Sequence, residues 1–150
     1  VLKREILNIV AFVWEVVADA EGMWGSRFRL APRNGLALMI SADHGLLKTA
    51  LLNLLDNATK YSLPNTPITV TINAGENEAV LVIENIKTTV TPVEIEHLFK
   101  KYYRGKNSQG ISGSGVGLYL VRRIIEKHGG TVEACHTADD CFRVTVRLPQ

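Results

Sequence analysis

Cysteine is scarce in this chain. Cys135 and Cys141 are the only two. They form no CxxC pair and have no histidine cluster beside them, which argues against metal ligation or catalysis by either and leaves two reduced thiols as the expectation. An excess of one charge is also lacking. The 17 basic and 15 acidic residues leave a net charge of +2, and the basic residues are scattered with no run of about five like charges. Nucleic acid and an acidic membrane surface are poor partners for such a surface. No apolar run reaches the ~18 residues of a membrane span. The most hydrophobic stretch, residues 6–20, is broken by Asn8, Glu15 and Asp19 and reads as an amphipathic helix. No signal peptide is visible. The chain opens on Val1 rather than Met, so a piece of a longer protein is expected.

What is present suits one globular domain over residues 1–150, with 46% hydrophobic and 21% charged residues and enough length for a real core. Periodicity predicts a first helix over residues 2–20 ended by Gly22. A hairpin of residues 27–31 and 36–40 should follow, around Pro32-Arg33-Asn34-Gly35. A leucine-rich helix is expected over residues 47–62, capped by Ser41 or Asp43 and stopped before Pro64. The β-branched runs 68–73 and 79–85 read as a second hairpin. A short helix over 92–101, a polar glycine-containing stretch, a helix from Val116 to Lys127 ending at Gly129-Gly130, and a last hairpin of 131–136 with 142–148 complete the chain. Helices interleaved with antiparallel hairpins predict an α/β (α+β) two-layer sandwich. Its sheet should be mixed but mostly antiparallel, with about three helices over one face.

The strongest chemical signal lies in LKTALLNLLDNATKYS, residues 47–62. Leu47, Leu51, Leu54 and Ala58 form its buried stripe, while Asn53, Asn57, Lys60 and Tyr61 share the other side. Asparagine is about half a kcal/mol worse than alanine in a helix, so two of them amid leucines suggest amides that bind something. A second signal is GSGVGL, residues 113–118. Gly113, Gly115 and Gly117, with Ser114, Val116 and Leu118 between and after them, leave backbone N–H groups open at a helix N-terminus, where unpaired donors and the helix dipole favour phosphate. The segment follows no strand of a βαβ unit, and no GKS or GKT occurs, so neither a Rossmann site nor a P-loop fits. A third is FKKYYRG from Phe99: Phe99 suits the core, while Arg104 and Lys106 are placed to meet phosphate oxygens.

Taken in order, these segments resemble the catalytic ATP-binding domain of two-component sensor histidine kinases, within the superfamily that includes DNA gyrase, Hsp90 and the MutL proteins. NLLDNATKYS resembles the N box, LFKKYYRG the F box, and GSGVGLYLV with IIEKHGG the second glycine box. The resemblance implies a Bergerat-type ATP-binding fold, with ATP or ADP and Mg²⁺ as ligands. By position, Asn57 would ligate the Mg²⁺ that bridges the phosphates, and Asn53 would lie beside them. Lys60 would neutralise phosphate charge, and Tyr61 would stack on or flank the adenine. Gly113, Gly115 and Gly117 would let the backbone wrap the phosphates, and residues 105–112 would form the ATP lid.

One box departs from the pattern. The resemblance places the adenine-binding aspartate of a DxGxG motif 14 positions before the F-box phenylalanine, and here that position is Asn85. Lys87 and Thr89 replace the two glycines. An amide oxygen still accepts from the adenine amino group but carries no charge, which predicts adenine binding weaker by about 1 kcal/mol. Glu84 is expected to point to the other face of the strand. The ATPase branch of the superfamily needs a glutamate one turn before the Mg²⁺ asparagine to activate water; here that position is Asn53, which favours a kinase. None of His44, His97, His128 and His136 lies in an HExRTP-like context, so the phosphoacceptor histidine is expected upstream, on a dimerisation domain outside this sequence. The implied partners are that histidine-bearing domain and a response regulator. The implied setting is the cytoplasmic part of an inner-membrane, homodimeric sensor. The alternative is a degenerate domain that binds ATP weakly or not at all and acts as a regulatory scaffold. His128, at a helix C-terminus, is expected to serve as a cation there.

Overall fold

The structure, a computed structural model, describes residues 2–31, 37–87, 99 and 117–150. The turn expected at 32–35 lies outside these residues, as does the helix expected at 92–101 apart from Phe99. Along the chain run β1 (Glu5–Asn8), α1 (Ile9–Trp24), β2 (Phe28–Ala31), β3 (Met39–Ala42), α2 (His44–Tyr61), β4 (Ile68–Gly75), β5 (Glu78–Ile86), α3 (Gly117–Lys127), β6 (Thr131–His136) and β7 (Cys141–Pro149).

The first helix starts later and ends later than its pattern predicts. Residues 5–8 are a strand because their backbone groups pair with β3, Glu5 facing Ala42 and Asn8 facing Met39. Asn8 then turns the chain into the helix: its Oδ1 accepts from the Val10 N–H at 3.1 Å and from the Leu38 N–H at 3.3 Å, satisfying donors that a helix start leaves open. The helix passes through Gly22, where an added Cβ would meet nothing within 4 Å. It stops at Gly25, whose φ of +92° is costly for other residues.

The hairpin expected of β2 and β3 does not form. β2 joins a five-stranded sheet of order β2-β4-β5-β7-β6, running parallel to β4, whereas β3 pairs with β1 in a separate two-stranded sheet. Both runs have strand-like sequences, but pairing was settled by distant partners. Arg27 fixes the arrangement by donating to Thr66 O at 3.0 Å, Ser62 Oγ at 2.6 Å and Leu63 O at 3.0 Å, which ties the exit from α2 to the start of β2.

The other ladders are antiparallel. Alternation along them separates two faces: Ile68, Val70 and Ile72 of β4, Leu81 and Ile83 of β5, and Val144 and Val146 of β7 are buried, whereas Glu84 and Arg143 meet on the opposite face at 2.7 Å. Glu84 holds the Arg143 guanidinium pKa above its ordinary value by hydrogen bond and charge. Over the buried face lie Val13, Val16 and Val17 of α1, Leu47, Leu51, Leu54, Leu55 and Ala58 of α2, and Val121, Ile124 and Ile125 of α3. Phe99 joins this core. Each buried aliphatic side chain contributes about 1.5–3 kcal/mol of transfer free energy. The result is the expected two-layer sandwich.

Asp43 caps α2, its Oδ1 accepting from the Leu46 N–H at 3.1 Å while Oδ2 accepts from the Lys3 N–H at 2.9 Å. These two backbone donors, Lys3 first, hold its carboxyl pKa below the ordinary 3.8. A carboxylate depressed in the folded state adds stability above its unfolded pKa and loses it as pH falls through the folded one. Thermal melts of wild type and Asp43→Asn should therefore differ most at neutral pH and converge below 3.8; a gap unchanged in acid would show that the cap acts without its charge.

Candidate nucleotide-binding site

The candidate site lies along the C-terminal half of α2, which packs against α3 and whose exit docks on the end of β5. His128 sets the direction of α3. It is only 2% exposed, its Nδ1 lies 2.8 Å from Ile124 O, and its Nε2 accepts from the Asp43 N–H at 3.0 Å. Nδ1 is therefore the ring N–H and Nε2 the acceptor, so the ring acts as a two-ended backbone bridge, not the cation expected at a helix end. This bond joins the end of α3 to the start of α2, and the two helices pack side by side.

On α2, the Asn53 Nδ2 donates to Thr49 O at 2.8 Å, which orients its amide along the helix. Asn57 is half-buried, and no described residue hydrogen-bonds to its side chain. Its oxygen is a hard donor with no competing partner, the type of ligand Mg²⁺ takes. Lys60 pairs with Asp56 at 3.1 Å. A solvent-accessible pair of this kind is worth about 1 kcal/mol at most, so the ammonium can exchange it for a phosphate. Leu118 lies half-buried at the start of α3. Arg104, Lys106, Gly113, Ser114, Gly115 and Val116 lie outside the described residues.

At the base of the site, the Leu63 N–H donates to Ile86 O at 2.9 Å and docks the exit of α2 on the end of β5. Tyr61 and Lys87 meet across this junction, with the Lys87 Nζ 5.4 Å from the Tyr61 ring centroid, a cation–π contact worth about 0.5–1 kcal/mol at an accessible position. Sequence reasoning missed it; the only hint was a lysine where the family pattern has glycine. The Lys87 backbone is held on the other side, its N–H donating to Asp140 O at 2.9 Å and its carbonyl lying 3.0 Å from the His136 Nε2.

Asn85 faces inward, as the strand alternation predicts, and is 3% exposed. Its Nδ2 is shut from solvent with no hydrogen-bond partner among the described residues. A buried donor left unpaired costs about 1–3 kcal/mol, a cost that an incoming acceptor would relieve. Asn85 thus offers a buried amide near the end of β5, with ladder neighbours Ile68 and Phe142.

Comparison with known proteins shows the family and the fold. Residues 42–150 match the family described as histidine kinase-, DNA gyrase B-, and HSP90-like ATPase. The chain belongs to this family. Among curated relatives, the sensor protein SrrB of Staphylococcus aureus is 30% identical over 112 residues, which cover 73% of this chain and 19% of SrrB. The chain thus corresponds to about a fifth of that relative. Among solved structures, the mycobacterial sensor histidine kinase MprB superposes with a TM-score of 0.83 at 23% identity, covering 97% of both chains. The catalytic domain of the histidine kinase ThkA superposes with a TM-score of 0.82 at 21% identity over 99% of this chain and 98% of its own. The fold is therefore that of histidine kinase catalytic domains. No helix among the described residues is long and apolar enough to cross a membrane.

Proposed function

We propose that this domain binds Mg·ATP and presents the γ-phosphate to a histidine on a separate dimerisation domain of the same protein, the first step of two-component signalling to a response regulator. The observation that supports it most is the Asn57 amide, half-buried and bonded to no described residue, on an otherwise leucine-packed helix. When bound, Mg²⁺ would supply charge neutralisation at the phosphates. Asn57 would supply its oxygen ligand, and Asn53 would lie beside the phosphates. Lys60, Arg104 and Lys106 would face phosphate oxygens, and the backbone of residues 113–118, with Gly113, Ser114, Gly115, Val116, Gly117 and Leu118, would wrap them. Tyr61 and Asn85 would hold the base. Asn53 cannot take a proton from water as a glutamate could, so ATP would be kept intact for the histidine rather than hydrolysed. The full sensor would be a membrane-anchored homodimer with this domain on the cytoplasmic side.

Calorimetric titration of the chain with ATP, with and without Mg²⁺, tests the reading. Micromolar binding strengthened by Mg²⁺ is expected, about 8 kcal/mol at 1 μM. A scaffold role without nucleotide is the second reading. Its support is the Lys87 ammonium over Tyr61, the ring that the first reading needs for the base. A folded chain giving no heat at millimolar ATP would favour it. Joining the domain to its upstream helices and assaying phosphohistidine separates a kinase that transfers from one that only binds.

A further inference from the structure

The base end of the site departs from what a carboxylate there would do, and the departure has a consequence for specificity. We infer that Asn85 reads a purine through both ends of its amide, and that the site takes GTP about as well as ATP. This deepens the nucleotide-binding reading above and rests on it.

Asn85 is almost wholly buried, and its Nδ2 has no hydrogen-bond partner among the described residues. Its ladder neighbours are Ile68 on β4 and Phe142 on β7, both buried and apolar. Neither side chain offers the amide nitrogen an acceptor, so no hydrogen bond at Nδ2 opposes a half-turn that exchanges the nitrogen and oxygen ends. A primary amide presents one acceptor beside one donor. Adenine offers the amino group at N6 beside the acceptor N1, and the amide pairs with both. Guanine offers the acceptor O6 beside the N1–H, and the same amide turned through half a rotation pairs with both.

A carboxylate in this position has only acceptors. It would satisfy the adenine amino group and set its lone pairs against those of guanine O6, which is how an unpaired buried polar group rejects a ligand.

Competition titrations of the 150-residue chain with ATP, GTP and inorganic tripolyphosphate, each with Mg²⁺, test the inference. The GTP dissociation constant should fall within about fivefold of that for ATP, and tripolyphosphate should bind at least about tenfold more weakly than either. Asn85→Asp should restore discrimination, tightening ATP and weakening GTP so that their ratio changes by about thirtyfold or more. ATP bound with GTP about a hundredfold weaker in the wild type would overturn the inference and leave the nucleotide reading standing. Tripolyphosphate binding as tightly as ATP would also overturn it, because the base would then go unread. A folded chain that binds none of the three would overturn both. The wild-type comparison decides these cases even if Asn85→Asp fails to fold.

Discussion

Asn57→Ala should remove the Mg²⁺ dependence of ATP binding and weaken binding in the presence of Mg²⁺ by about a hundredfold or more, since even indirect supports of a metal ligand are worth about 10–100-fold. The same substitution should leave the fold unharmed. Asn57 is half-buried and lies off the stripe made by Leu47, Leu51, Leu54, Leu55 and Ala58. With no described residue bonded to its side chain, its loss removes no contact of consequence. Alanine is the better helix former by about half a kcal/mol, so the melting temperature should hold or rise slightly. A site residue whose removal stabilises the domain while abolishing ligand binding is the signature of a position kept for chemistry at some cost in stability. Titration with ATP in Mg²⁺ and in EDTA, beside a thermal melt, reads both quantities. Equal Mg²⁺ enhancement in mutant and wild type would refute the metal assignment, and a large loss of stability would make Asn57 a packing residue. Asn57→Asp should also abolish binding, because the added charge would repel the phosphates as it approaches the metal.

Gly130→Ala should be the most destabilising alanine substitution near the site, costing about 3 kcal/mol or more. After α3 the chain closes a Schellman motif: the Gly129 N–H donates to Glu126 O at 2.9 Å and the Gly130 N–H to Ile125 O at 3.0 Å. Gly129 takes the left-handed turn with φ +78°. Gly130 follows at the point where β6 meets β7, and a Cβ there would fall 2.1 Å from Arg147 O and 3.1 Å from the Ile125 Cγ2. The oxygen belongs to the backbone of a central strand, so it cannot swing aside as a side-chain tip would. Relief requires β7 or the whole α3–β6 turn to move, which strains the packing of Ile125 and Val146, both 1% exposed. Gly129→Ala is the useful contrast. Its added Cβ has room, the nearest atom being the Pro149 Cγ at 3.6 Å, so it should cost only the left-handed penalty of about 1–2 kcal/mol. Urea unfolding of the two variants compares steric and conformational costs directly. A Gly130→Ala protein no less stable than Gly129→Ala would show that the turn yields more easily than its backbone contacts imply.

Much of the fold could be read from the chain because its pieces are local. The α2 stripe follows from leucine spacing, and every member of that stripe is buried. The inward facing of Asn85 followed from alternation with Leu81 and Ile83, and all three are buried. The β4–β5 and β6–β7 hairpins were legible because partners lie a few residues apart and turn residues mark the reversal; Asn77, in the first turn, has φ 56°, a conformation asparagine tolerates better than most. Glu84, placed by the same alternation on the other face, meets Arg143 there.

Other features were beyond reach of spacing. Strand propensity at 28–31 and 39–42 states that these residues can pair but not with whom. The nearest run in sequence was the natural expectation, and both strands instead found distant partners. Residues 5–8 carry an apolar pattern compatible with a helix and became a strand only because β3 was there to bond with them. His128 at a helix end reads as a cation until the Asp43 N–H is seen pointing at its ring. The contact of Lys87 with Tyr61 joins two segments separated by the β4–β5 hairpin. That no described residue pairs with the Asn85 Nδ2 is likewise a property of everything around it. By itself the amino-acid order determined which residues could carry chemistry, the faces they occupy and the family to which the chain belongs, because periodicity and motif spacing are short-range. Only the tertiary structure decided strand partners, the role of His128 and the surroundings of Asn85 and Lys87, because those depend on groups that folding brings together from far along the chain.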